Sequence, residues 1–300
     1  MELLKKITWT LTLLSLIYSC KSSEENIQPV DQEITIDTVD NATDFTEMGV
    51  FTMGIEGPAI SSNGRLYIVN YSKEGTIGVV DTSSGAVSVY LTLPVGSIGN
   101  SIRFDENDNM FVADYTGHNV LKNSTDKSVD TVVNEPRMNQ PNDIALAKSG
   151  VIYASDPNWG NSTGNLWMIK NEKAILIDSA MGTTNGIELN LEENKLFVNE
   201  SIQRNIWVYD LSEDGIPSNK TLLYNFDDFG MDGMKVHPKS GNLFIARYGA
   251  GNLTELDKEG NVITVYKLKG DKPTNLAFSS EGKYIYVTMQ SRKGVERIQL

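Results

Sequence analysis

From about residue 33 to the C-terminus, short runs of β-branched and aromatic residues alternate with clusters of Gly, Asn, Asp and Ser. No long stretch has a helical period. This pattern predicts an all-β fold with frequent turns. Six segments share one form: a polar residue, a short apolar strand, a turn rich in Gly, Asn, Asp or Ser, and a second strand with an aromatic. They read EGPAISSNGRLYIVN, NSIRFDENDNMFVAD, NDIALAKSGVIYASD, NGIELNLEENKLFVNE, DGMKVHPKSGNLFIAR and TNLAFSSEGKYIYVTM. The opening residues are Glu56, Asn100, Asn142, Asn185, Asp232 and Thr274, spaced by 44, 42, 43, 47 and 42. Such a period suits one four-stranded propeller blade. The expected architecture is an all-β, six-bladed β-propeller with four-stranded blades over residues 33–300.

Two positions after each opening residue stand Pro58, Ile102, Ile144, Ile187, Met234 and Leu276; two further on stand Ile60, Phe104, Leu146, Leu189, Val236 and Phe278. Strand alternation puts both columns on one face of each blade, to be buried against its neighbour. Only 26 residues follow Thr274, room for three strands. The missing outer strand is therefore expected from residues 33–51, which would close the ring with no open edge.

The first 32 residues read differently. Lys5 and Lys6 precede an apolar run from Ile7 to Tyr18, too short to span a bilayer comfortably, which ends in Leu16-Ile17-Tyr18-Ser19-Cys20. That string resembles a bacterial lipobox. Residues 1–19 are expected to be a lipoprotein signal peptide, Cys20 the lipidated residue and residues 20–32 a flexible tether. These features predict a lipid-anchored protein of the bacterial cell envelope, touching the membrane through Cys20. Cys20 is the sole cysteine and His118 and His237 are the only histidines, so a thiolate or multi-imidazole zinc site is disfavoured and a metal would have to be held by oxygen. The formal net charge of -13 disfavours nucleic acid as a partner. A monomer acting on a small molecule is expected.

All six opening residues carry side-chain oxygen and occupy equivalent positions on innermost strands, so they converge near one end of the central channel. Glu56 and Asp232 match the charge of a divalent ion, while Asn142 and Asn185 add neutral oxygens. One Ca²⁺ fits this set, ahead of Mg²⁺, Mn²⁺ or Zn²⁺, because Ca²⁺ takes roughly six to eight oxygens in flexible geometry.

The strings IEGP at Glu56, RMNQPND ending at Asp143, TNGI at Asn185 and DGM at Asp232 resemble the regucalcin, gluconolactonase and luciferin-regenerating-enzyme family. PTNLAF in the last repeat and SDPNWG after the third resemble its gluconolactonase branch. The likeness spans roughly residue 48 to the C-terminus. It implies a calcium propeller acting on lactones or related esters, with Glu56, Asn142, Asn185 and Asp232 as metal ligands. Two features depart from the pattern: His237 stands where the family often has Asp, and no histidine falls at the channel mouth.

Residues ending the second strands, among them Asp156 and Arg247, are expected beside the metal column. Asn100, Arg137, Asp156, Trp159, Arg247 and Thr274 are the substrate-binding candidates. Strand alternation turns Asp143 away from Asn142, toward a role in holding loop backbone. The resulting functional expectation is a calcium-dependent, gluconolactonase-like hydrolase acting on a small sugar lactone or related ester. Asp232 and Glu56 are the candidate catalytic groups, as general base or nucleophile, or else as ligands only. Two alternatives share the fold: a non-enzymatic binding scaffold, suggested by ADYTGHNVLK in the second repeat, and an organophosphate hydrolase using the same metal site.

Overall fold

A computed structural model describes residues 36–300. The expected signal segment, Cys20 and the tether lie outside the described residues. Six sheets, antiparallel except for one added parallel strand, follow one another along the chain, and among the described residues there is no helix. Together they form a six-bladed β-propeller. The innermost strands are Phe51–Ile60, Gly99–Phe104, Ile144–Leu146, Thr184–Leu189, Met234–Val236 and Pro273–Phe278.

One apolar cluster fills the gap between each neighbouring pair of blades. Val69 and Ile77 of the first blade meet Ile102 and Val112 of the second, and the same arrangement runs round the ring. At the seam, Ile55 and Leu66 of the first blade pack on Tyr286 and Val295 of the sixth. Ile102, Ile144, Ile187, Met234 and Leu276, five of the six members of the repeat's first apolar column, are completely buried. Each such side chain contributes about 1.5–3 kcal/mol relative to exposure, so the repeated column is the main cohesive element.

The sixth blade takes its outer strand from the N-terminal side: Thr43–Asp44 pairs antiparallel with Gly294–Gln299, Thr43 opposite Arg297. Asp44 also pairs with Lys269 at 2.7 Å and Arg292 at 2.8 Å. The preceding Asp37–Val39 does something the repeat pattern does not foretell. It runs parallel to Val262–Lys267 and adds a fifth strand to the fifth blade.

The inner strands do not alternate strictly where the opening residues sit. Asn142 N–H donates to the Ser155 carbonyl (2.9 Å), and Ser155 N–H donates back to the carbonyl of Asp143 (3.0 Å). Asp232 and Gly233 make the same pair of bonds to Ala246, at 2.9 and 3.0 Å. Two residues thus oppose one, which is a β-bulge. Register shifts occur at the corresponding points of the other four inner strands. The bulge brings the opening residue and its successor to the channel together.

Candidate metal and substrate site

A cavity of about 300 Å³ opens at one end of the channel, and Glu56, Asn100, Asn142, Asn185, Asp232 and Thr274 all line it. Each comes from a different blade. Glu56 accepts a hydrogen bond from Gly57 N–H at 2.8 Å, and Asn100 donates its amide to the Asn142 carbonyl at 3.2 Å. The Thr274 hydroxyl is occupied by structure: it donates to the Ile55 carbonyl at 2.9 Å and contacts the Thr288 hydroxyl at 2.8 Å. Met53, Ile98, Tyr115 and Trp159 form an apolar wall on the side of the first three blades, with Trp159 40% exposed. Glu74 and Gln290 supply polar groups near the opening.

Glu56 and Asp232 lie within hydrogen-bonding reach of one another. Burial is the main cause that pushes Glu56 up to about 8, with repulsion from Asp143 adding to it. Asp232 is held well above the ordinary carboxylate range by burial first and by Glu56 second, while the Asn185 amide opposes the shift. Two acids crowded in a dry site cannot both ionise cheaply unless a cation or proton sits between them. Among the described residues no three acids or imidazoles are grouped to cage a metal. The donor set combines two carboxylates with amide oxygens, and these hard donors fit a hard divalent cation.

Three expected substrate contacts are placed elsewhere. Asp156 is fully buried and accepts from Gln140 N–H at 2.7 Å, Trp167 Nε1–H at 2.9 Å and the Asn165 amide at 2.9 Å. Arg247 stacks on Phe226 at 3.5 Å and donates to the Asp228 carbonyl at 2.6 Å. Neither lines the cavity. The physical reason is shared: second-strand ends anchor the loop that leads into their own blade's inner strand. Asp114 does likewise through Ile98 N–H (3.1 Å), and Glu200 through Gly182 N–H (2.8 Å). Arg137 has a side chain 68% exposed, forks onto Glu135 and lies over Trp167, outside the cavity. His237 packs edge-on against Phe278 and meets the Gly282 carbonyl at 3.0 Å, a structural position.

A second tier of polar side chains lies beneath the opening residues. Asp143 is buried in the channel, not turned to a surface loop. Its Oδ1 accepts from Ile144 N–H at 2.9 Å and meets Arg103 at 3.0 Å, and its Oδ2 accepts from the Asn275 amide at 3.4 Å. Asn275 also reaches Glu56. Below them Arg103 lies 3.6 Å from Glu188, which pairs with Lys235 at 3.1 Å. The repeat contains the signal for these residues. They fall one and three positions after the opening residues, in columns that strict alternation assigns away from the channel.

Most of the sequence is similar to proteins of two named activities. A gluconolactonase from Zymomonas mobilis is 27% identical, the match covering 78% of this chain and 75% of that protein. A diisopropyl-fluorophosphatase from Loligo vulgaris is 24% identical, covering 85% and 91% respectively. Among solved structures, the calcium-binding protein regucalcin from Agrobacterium tumefaciens superposes with a TM-score of 0.77 at 16% identity, over 88% of this chain and 95% of that one. Residues 56–291, from the first channel carboxylate to the end of the last blade's hairpin, match the SMP-30/Gluconolactonase/LRE-like region, and the chain belongs to that family.

Proposed function

We propose that this protein is a divalent-metal-dependent hydrolase that opens a small, neutral lactone, with Ca²⁺ as the ion. One observation carries the reading. Glu56, Asn142, Asn185 and Asp232, from four blades, bring oxygen donors to one cavity, and its two acids are crowded enough to favour a cation or a proton between them. Those four residues would hold the ion. When bound, it would polarise the lactone carbonyl and favour ionisation of water. Asp232 is the better candidate to receive a proton from the attacking water, because Asn185 orients its carboxyl at the cavity floor. Asn100 fixes the Asn142 backbone, so its role is to position a ligand. Trp159 and Met53 would receive the ring substituent. The gluconolactonase relative supports lactone chemistry.

Among the described residues no lysine or arginine lines the cavity, which argues against an anionic substrate such as a phosphorylated lactone. The same feature, with the apolar wall and the diisopropyl-fluorophosphatase relative, keeps an organophosphate triester as the second reading. Purified protein should open lactones in a panel, lose that activity to a chelator and regain it with Ca²⁺. Chelator-insensitive turnover would discard the metal role, and turnover of phosphotriesters alone would favour the second reading. We also propose that Cys20 carries a lipid at the cell envelope, because it ends the apolar run. A Cys20→Ala chain that still partitions with membranes would count against this.

A further inference from the structure

Directly beneath the candidate metal site, the channel holds four ionic side chains that the proposed chemistry does not use. Arg103 bonds Asp143 at 3.0 Å and approaches Glu188 to 3.6 Å; Lys235 meets Glu188 at 3.1 Å. Their side chains are only 11% (Arg103), 1% (Asp143), 17% (Glu188) and 12% (Lys235) exposed. The equivalent positions of the other three blades are Ala59, Ala145 and Ala277, whose small side chains leave the channel's width to the long ones. Arg103 further donates to the Ile102 carbonyl at 2.9 Å and the Ile187 carbonyl at 3.3 Å, so it is tied to two blades. Yet Arg103 Nε has no hydrogen-bond partner, and burial and the nearby Arg103 disfavour the Lys235 charge that Glu188 supports. A buried ion network of this kind carries a desolvation cost that pairing repays only where geometry is good and the remaining hydrogen bonds are satisfied.

The balance closes when the two tiers are counted together. Glu74 at the opening is exposed; among the buried and half-buried side chains the acids are Glu56, Asp143, Glu188 and Asp232, and the cations are Arg103 and Lys235, so the acid surplus is 4 − 2 = 2. One divalent cation cancels it. We propose that Arg103 and Lys235 are fixed internal counter-cations, which set the channel to a single divalent ion and tune how tightly it is held. Arg103 is in addition a positioning residue, because it fixes Asp143 beside Glu56 and Asp232. The inference rests on the metal-site reading above.

Calorimetric titration of the full chain with Ca²⁺ tests it without reference to turnover. Wild-type protein should take up one ion. Lys235→Met raises the surplus to three, and should bind Ca²⁺ about tenfold or more tightly or admit a second ion. Glu188→Gln lowers the surplus to one and should weaken binding by about the same factor. The double variant restores the surplus to two and should return to within about threefold of wild type. Thermal melts establish that each variant is folded. If Lys235→Met fails to fold, Glu188→Gln against the double variant still decides the matter. Single variants that are folded and within twofold of wild type would overturn the proposal while leaving the metal site standing. No uptake by wild-type protein would overturn both.

Discussion

The carboxyls of Glu56 and Asp232 meet across the mouth of the channel although they come from the first and fifth blades. Each is carried there by the same device, a break in register, within the inner strand for Glu56 and just before it for Asp232. Each lies next to a glycine, Gly57 or Gly233, that lets the neighbouring inner strand come close. The repeat thus supplies six equivalent positions, and chemistry enters through which of them are acids.

Charge count should order the effects of ligand substitution. Asp232→Ala removes a charged donor and is expected to abolish both Ca²⁺ binding and turnover. Asn185→Ala removes a neutral one and should weaken binding less. Thr274→Ala should barely change metal affinity, because its hydroxyl is already committed to Ile55 and Thr288. Calorimetry on the three variants reads this order, and full activity in Asp232→Ala would sink the mechanism.

The raised acid pair predicts an unusual pH profile for the chelated protein. The folded state keeps a proton on Glu56 up to about pH 8, whereas the unfolded chain releases it near 4.5. Between those values the folded state binds more protons than the unfolded one, so stability falls as pH rises. Excess Ca²⁺ should replace the proton and flatten the slope. The lowered carboxyls of Asp44, Asp105 and Asp257 act in the opposite sense and only in the acid range, below about pH 4. Melting temperatures from pH 5 to 9, with chelator and with Ca²⁺, test the prediction; a chelated curve that rises over pH 5–8 contradicts it.

Asp156 and Arg137 separate structural from substrate-facing roles. Asp156→Ala strips acceptors from the buried Trp167 indole and Gln140 amide, and should cost on the order of 3 kcal/mol. Arg137→Ala should change KM by less than about twofold, since that side chain is exposed and outside the cavity. Denaturant titration and steady-state kinetics on the pair distinguish the two. A large rise in KM for Arg137→Ala would return it to the site.

The blades and the column from Glu56 to Thr274 were legible because burial imposes its own period: the apolar pair two and four residues on recurs in every repeat. Asp143, Asn275, Arg103 and Lys235 were not, because a bulge breaks the alternation that would otherwise give their direction. Asp156 and Arg247 were misplaced for a different reason. Strand ends near a mouth must first satisfy the loop backbone, and a lone acid or arginine there is consumed by that task. The parallel pairing of Asp37–Val39 has no sequence period at all and depends on the exposed edge it covers.

Gly233 offers the sharpest test of how the two tiers are coupled. A Cβ at this position would collide with the side-chain amide of Asn275. That amide bridges Asp143 and Glu56, so Gly233→Ala should displace a support of the metal site as well as strain the packing. Overpacking of this kind costs about 1–3 kcal/mol, and Ca²⁺ affinity should drop with it. Gly64→Ala is the control. Gly64, unlike Gly233, has a left-handed backbone, at φ 78°, and nothing lies within 4 Å of a Cβ there. It should lose about 1 kcal/mol from backbone strain and leave Ca²⁺ affinity unchanged. Adding Asn275→Ala to Gly233→Ala removes the collision and should recover much of the stability but not the affinity, because the bridge itself is gone. Recovery of both would show that Asn275 only fills space.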